Sequence, residues 1–219
     1  MEVVTLILLI SFAPCLALLW YFYHKDKYEP EPLRYVAITF IYGAVFSTAV
    51  AMFVENVLDL VLPPSAITLA LIASVVEEPA KALAIRIPYK DGQMDGIMDG
   101  VVYGVAAGLG FAATENLLYG LGFGTGVTII RAFLTPIAHA TWSATIGVGF
   151  GLKSEGYNNL PMFFIVAMLL HFTWDYSVFM SSVNPYYTTF VFLILILNVA
   201  LIRYFLKAGL IEDKLKFGR

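Results

Sequence analysis

Seven apolar runs leave this chain little choice of fold. Residues 3–23, 36–61, 66–87, 100–121, 127–152, 160–181 and 186–206 are each close to the roughly 20 residues that a helix needs to cross a bilayer. Inside hydrocarbon the backbone must satisfy its own N–H and C=O groups, and a helix does so within one segment. The expected fold class is therefore an all-α membrane protein, a polytopic bundle of about seven transmembrane helices in the cell membrane, read as one integral membrane domain over residues 1–219. With 60% hydrophobic and 13% charged residues, the composition excludes a soluble globular domain, whose apolar share is nearer one half. A net charge of −3 argues against nucleic acid as a partner, which would require a surplus of Lys and Arg. The single Cys15 excludes an internal disulfide and any multi-cysteine metal site.

The basic residues orient the bundle. Glu2 precedes the first run and Lys25, Lys27 and Arg34 follow it, the reverse of a secretory signal, so this run is expected to stay as an anchor. With the N-terminus outside, those three residues, Arg86, Lys90, Lys153 and the basic residues of the tail all become cytoplasmic, and Arg131 alone lies outside. The positive-inside rule then gives an N-out, C-in topology. Asp99 is expected to cap the fourth span, whose small residues permit close helix approach. The tail FLKAGLIEDKLKFGR reads as an interfacial helix.

The third run carries the chemistry. LALIASVVEEPAKALAI places Glu77, Glu78 and Lys81 at bilayer depth, where ionisable side chains are costly and usually mark function. Lys81 follows Glu77 by four residues and Glu78 by three, so the trio can neutralise itself on one helical face. Pro79 frees a backbone acceptor beside the acids. His139 and His171 lie near the middle of the fifth and sixth spans, and HATWS and HFTWD each put Trp three residues after the His. Asp175 shares a face with His171. The fourth span adds Glu115 and Asn116, with Phe111 on the same face as Glu115. At about 1.5 Å of rise per residue, Glu77, His139 and His171 all lie roughly 15–17 Å below the outer surface and Glu115 roughly 10 Å. Glu55, Asn56 and Asp59 lie near the outer end of the second span and read as interfacial.

Carboxylates and imidazoles meeting at one depth suit activation of water and donation to a leaving amine. No GxSxG elbow is present, and Cys15 has no nearby His in sequence, so no covalent nucleophile is evident. Zinc remains open: Glu77, Glu78, His139 and His171 are its candidate ligands, drawn from separate helices because an HExxH spacing is absent. A metal-free site is preferred, since Lys81 already supplies the positive charge that zinc would bring.

Taken in order, EEPAK, DGVVYG at 99–104, FAATEN, the His of AHA at 138–140, HFTWD and the YFYHKDKYEPEP segment resemble the PrsW family of intramembrane proteases, relatives of the type II CAAX prenyl endopeptidases. The resemblance implies a four-helix catalytic core from spans three to six, about residues 66–181, with Glu77, Glu78 and His171 essential. It further implies site-1 cleavage of a membrane-anchored anti-sigma factor, a single-span substrate met within the lipid bilayer. Where the CAAX enzymes have FxxxH, this chain has Glu115, so the water-activating imidazole is assigned to His139. The set of catalytic residues is thus Glu77, Glu78, His139, His171 and Glu115, supported by Lys81, Asn116 and Asp175. The competing readings are proton or ion transport, because intramembrane carboxylates and histidines also form relays, and a prenyl-peptide protease, whose site should open toward the cytoplasmic interface.

Overall fold

A computed structural model describes residues 2–218, and among them all regular structure is helical. The helices are α1 (Glu2–Tyr23), α2 (Leu33–Tyr42), α3 (Thr48–Asp59), α4 (Ala66–Lys90), α5 (Ile97–Phe123), α6 (Thr125–Ser154), α7 (Leu160–Ser181) and α8 (Tyr186–Phe217). A π-helical stretch, Gly43–Ser47, joins α2 to α3 end to end, so these two form the single second rod that the apolar run predicts. Five rods are long and apolar enough to cross a membrane: α1, the α2–α3 rod, α5, α7 and α8. The other two, α4 and α6, have 25 and 30 residues, ample length for a span, but carry the charged and polar side chains described below. Ser65 starts α4 by accepting the backbone N–H of Thr68 at 3.1 Å, and the helix continues through Pro79.

The centre of the bundle is α5, buried along nearly its whole length. Its glycines make that possible. A methyl group at Gly100, Gly104 or Gly108 would run into the backbone of α6 at Gly147, at Ser143 and Ala144, and at His139 respectively. On another face, Gly110 lies against the backbone of Phe40, and Gly43, in the π-helical stretch, lies against that of Ala107. Small residues thus bring two rods, α6 and the α2–α3 rod, into backbone contact with α5, the packing open to helices that have no hydrophobic drive to associate in lipid.

Two local expectations are corrected. The backbone of α5 turns helical at Ile97, after extended Gly96, so Asp99 lies inside the first turn instead of capping it. Its carboxylate reaches back to the N–H of Asp95 at 2.6 Å. The tail is no separate helix: α8 runs unbroken from Tyr186 to Phe217. Nothing between Leu206 and Lys214 breaks a helix, and Gly209 lets α8 pass against the backbone of Met98. Glu212 then accepts the N–H of Ile97 at 2.7 Å, and Lys216 bonds the carbonyl of Asp95 at 2.7 Å and pairs with Glu155 at 2.7 Å. The connection from α1 to α2 is also drawn inward. Asp26 and Glu31 are buried, and burial pushes the Asp26 carboxyl up to about 6 and that of Glu31 to about 10. Tyr103 of α5 donates a short hydrogen bond to Glu31.

Candidate active site

Four helices deliver one polar cluster to a common level. On α4, Glu77, Glu78 and Lys81 are buried. Lys81 Nζ lies 2.7 Å from Glu78 Oε1 and 3.1 Å from Glu77 Oε2, the internal neutralisation expected from their spacing. The ammonium also lies 3.1 Å from His139 Nδ1 and 4.4 Å from the ring centre of Phe111, a cation–π contact. An ammonium only donates, so His139 Nδ1 accepts and the ring proton belongs on Nε2, which faces Glu115 Oε2 at 3.0 Å. His139 is therefore held as a neutral imidazole of fixed tautomer.

His171 has the opposite surroundings. Its Nδ1 lies 2.9 Å from Glu78 Oε1, and its Nε2 lies 3.1 Å from Asp175 Oδ2 and 3.8 Å from Glu77 Oε2. Carboxylates face both nitrogens, an arrangement suited to an imidazolium that holds or passes a proton. Trp142 fixes the ring from above, stacked at a centroid distance of 4.1 Å and an interplanar angle of 15°. The paired tryptophans of α6 and α7 thus brace the site, with Trp142 and Trp174 edge to face at 6.3 Å.

The two adjacent acids are not equivalent. The Glu78 side chain is fully buried, whereas Glu77 is 8% exposed and lines a cavity of about 490 Å³. This cavity lies among α3, α4, α5, α6 and α7 at the end of the bundle that holds the α3–α4 connection and the Gly124 turn; Glu55, Glu115, His139 and Asp175 also reach its wall. Glu77 Oε2 is itself buried and makes no well-directed hydrogen bond, although Lys81 lies within ion-pair range.

Two wall residues had been given lesser parts by the sequence. Arg131, which served only to orient the bundle, pairs with Glu115 at 2.8 Å, donates to Asn116 Oδ1 at 2.9 Å and lies 3.9 Å from the ring centre of Tyr119. Its signal was its position two helical turns before His139, on the same face. Glu55, read as interfacial, has a buried oxygen without a hydrogen-bond partner. Asn116 accepts from Thr135 as well as Arg131, which ties α5 to α6 behind the cavity.

The cluster can accommodate a metal ion. Ligand atoms of Glu77, Glu78 and His171 all lie within 4.8 Å of one another, and Glu78 Oε2 is buried without a hydrogen-bond partner. Three protein ligands with one open position are the usual catalytic zinc arrangement. His139, the fourth candidate ligand from the sequence, has both nitrogens turned to Lys81 and Glu115 and stands outside this group.

A family model described as PrsW family intramembrane metalloprotease matches residues 31–202. Protease PrsW of Geobacillus kaustophilus is 35% identical over 184 residues, covering 80% of both chains. Protease PrsW of Bacillus subtilis is 31% identical, covering 80% of this chain and 84% of its own, and that of Shouchella clausii is 30% identical, covering 82% and 86%. No solved structure matches the chain. A match of this extent, on a helical bundle with a Glu-Glu-His cluster beside a membrane-level cavity, makes this chain a multi-pass membrane protease that belongs to the PrsW family of intramembrane metalloproteases.

Proposed function

We propose that the protein cuts a single-span membrane protein of the anti-sigma-factor kind, as the first of two cleavages, at a bond near the non-cytoplasmic end of the substrate's helix. The carrying observation is the cavity: it places Glu77, Glu115, His139 and Asp175 on one wall at the end of the bundle that the basic residues assign to the outside. An unwound stretch of substrate backbone fits a volume of about 490 Å³, in the range usual for ligand pockets.

Roles follow from the surroundings. Glu77, exposed to the cavity, holds the attacking water and takes its proton. Glu78, out of reach of the cavity, anchors Lys81 and His171. His171 donates to the developing oxyanion or the departing amine, with Asp175 and Glu78 keeping its proton in place; one such donor is often worth about 3 kcal/mol. Glu115, pinned by Arg131, holds His139 on the cavity wall as the neutral acceptor that positions Lys81 beside the two acids. A divalent ion held by Glu77, Glu78 and His171 would add Lewis-acid polarisation of that water.

The test is cleavage of a single-span reporter by the purified protein in liposomes, with and without a strong chelator. Proteolysis by the wild type and none by Glu77→Gln is expected; equal proteolysis by both removes Glu77 from the chemistry. Slow, reversible loss of activity in chelator assigns the water to a bound ion, and indifference to chelator assigns it to Glu77 alone.

A further inference from the structure

At the end of the bundle that the basic residues assign to the cytoplasm, a groove runs between the α1–α2 connection and the last turns of α8. Lys27 on one side and Lys207 and Lys214 on the other line a cavity of about 540 Å³, within the range usual for ligand pockets. All three lysines are exposed. Among the described residues none of them is in an ion pair; the lysines that are paired are Lys81 and Lys216. The acids next to them in sequence offer no counter-charge at the surface, because Asp26 and Asp213 are buried at 4% and 2% exposure. Three like charges therefore share one opening, and a cleft lined by one sign of charge concentrates ions of the other.

Helix phase makes the groove amphipathic. Gly209, Glu212 and Lys216 face the start of α5 and the end of α6, so Lys207, Leu210, Ile211, Lys214 and Leu215, spaced by three and four residues, form one stripe on the other side of α8. The same stripe continues into the apolar span, where Leu193, Ile196, Leu197 and Tyr204 are all exposed. Exposed aromatic rings mark the level of the interface: Tyr204 on α8, and Trp20 and Tyr21 near the end of α1, as in the belts found where membrane meets water. Lys207 follows Tyr204 by one turn. Helical side chains lean toward the helix N-terminus, which for α8 is the membrane side, so Lys214 leans back toward the same layer. A soluble phosphate would use the lysines and leave Ile211 and Leu215, at 53% and 83% exposure, bare to water. A guest with an anionic head and an apolar body uses both.

We propose that this groove binds one anionic phospholipid of the cytoplasmic leaflet, with its phosphate among Lys27, Lys207 and Lys214 and its acyl chains laid along the exposed stripe of α8. Basic pockets on the cytoplasmic side of membrane helices suit acidic headgroups. Tyr28, also in the wall, brings a hydroxyl able to donate to a phosphate oxygen. A zwitterionic lipid fits less well, because its own ammonium meets the lysines. The bound lipid ties the α1–α2 connection to α8. The site is separate from the Glu77, Glu78 and His171 cluster and does not depend on the proposed reaction.

The test is native mass spectrometry of the full-length protein in detergent, titrated with equal amounts of phosphatidylglycerol and phosphatidylcholine. The wild type should retain one phosphatidylglycerol per chain in preference to phosphatidylcholine. Lys27→Gln, Lys207→Gln and Lys214→Gln together should weaken that retention about a hundredfold, at roughly fivefold per lysine. Arg86→Gln, Lys90→Gln and Lys153→Gln together remove the same charge from the same side at exposed positions outside the groove and should leave it intact. Phosphatidylglycerol should also raise the melting temperature of the wild type and of this second variant, and not that of the first. Glycerol 3-phosphate, the headgroup chemistry without the chains, should not displace the lipid. Equal retention of the two lipids, equal loss in the two triple variants, or displacement by glycerol 3-phosphate or by a glutamate-rich peptide overturns the proposal.

Discussion

Glu77 and Glu78 are neighbours on one helix turn, yet burial divides their work. Glu77→Gln keeps the volume and removes the base, so turnover of a single-span reporter should fall to background while the melting profile in detergent stays near that of the wild type; retained activity would exclude it as the base. Lys81 lies between both acids at full burial, and removing one member of a buried ionic group typically costs about 3–5 kcal/mol. Lys81→Met should therefore lower the melting temperature strongly, and combining it with Glu77→Gln should restore part of the loss. A silent Lys81→Met would mean that the acids are not balanced by this ammonium. His139 and His171 separate by metal content: His171→Ala should lose any bound zinc, and His139→Ala, whose nitrogens face Lys81 and Glu115, should retain it. Equal loss in both would place His139 among the ligands.

At the scale of elements, the site depends on how closely α5 approaches α6. A side chain at Gly108 meets the carbonyl of His139 itself, so Gly108→Val should push the two helices apart at the catalytic level and reduce both stability and activity. Gly122, in the last turn of the same helix, has open space around it; Gly122→Ala should be neutral or stabilise by up to about 1 kcal/mol. If the two substitutions behaved alike, close packing at Gly108 would not be what sets the site. The elements themselves were legible, because an apolar run of about 20 residues bounded by turn residues has few other outcomes in a membrane. What the sequence concealed was helix phase. Arg131 and Glu55 looked like end-of-span residues by depth, and only the rotation of α6 and α3 turns them into the cavity. The run-on of α8 was hidden for a related reason: the charges after Leu206 looked interfacial, whereas they face the start of α5 and the end of α6.

For the whole molecule, antiparallel rods place two acidic centres at opposite ends of α5. One is balanced by Lys81 and Arg131 and opens on a cavity between helices; the other lies under the connecting loops. The sequence brought Glu77, His139 and His171 to one depth by counting residues, and in the fold they stand in one cluster, since rods of similar length that alternate in direction leave depth along the axis nearly fixed. The central claim, hydrolysis by this cluster at the outer end of the bundle, is tested most directly by mass spectrometry of the product termini after purified protein in liposomes cleaves a single-span reporter. The account predicts one cut in the non-cytoplasmic half of the reporter's helix or just outside it, absent with Glu77→Gln. A cut in the cytoplasmic juxtamembrane segment, or the same cut made by Glu77→Gln, would contradict it.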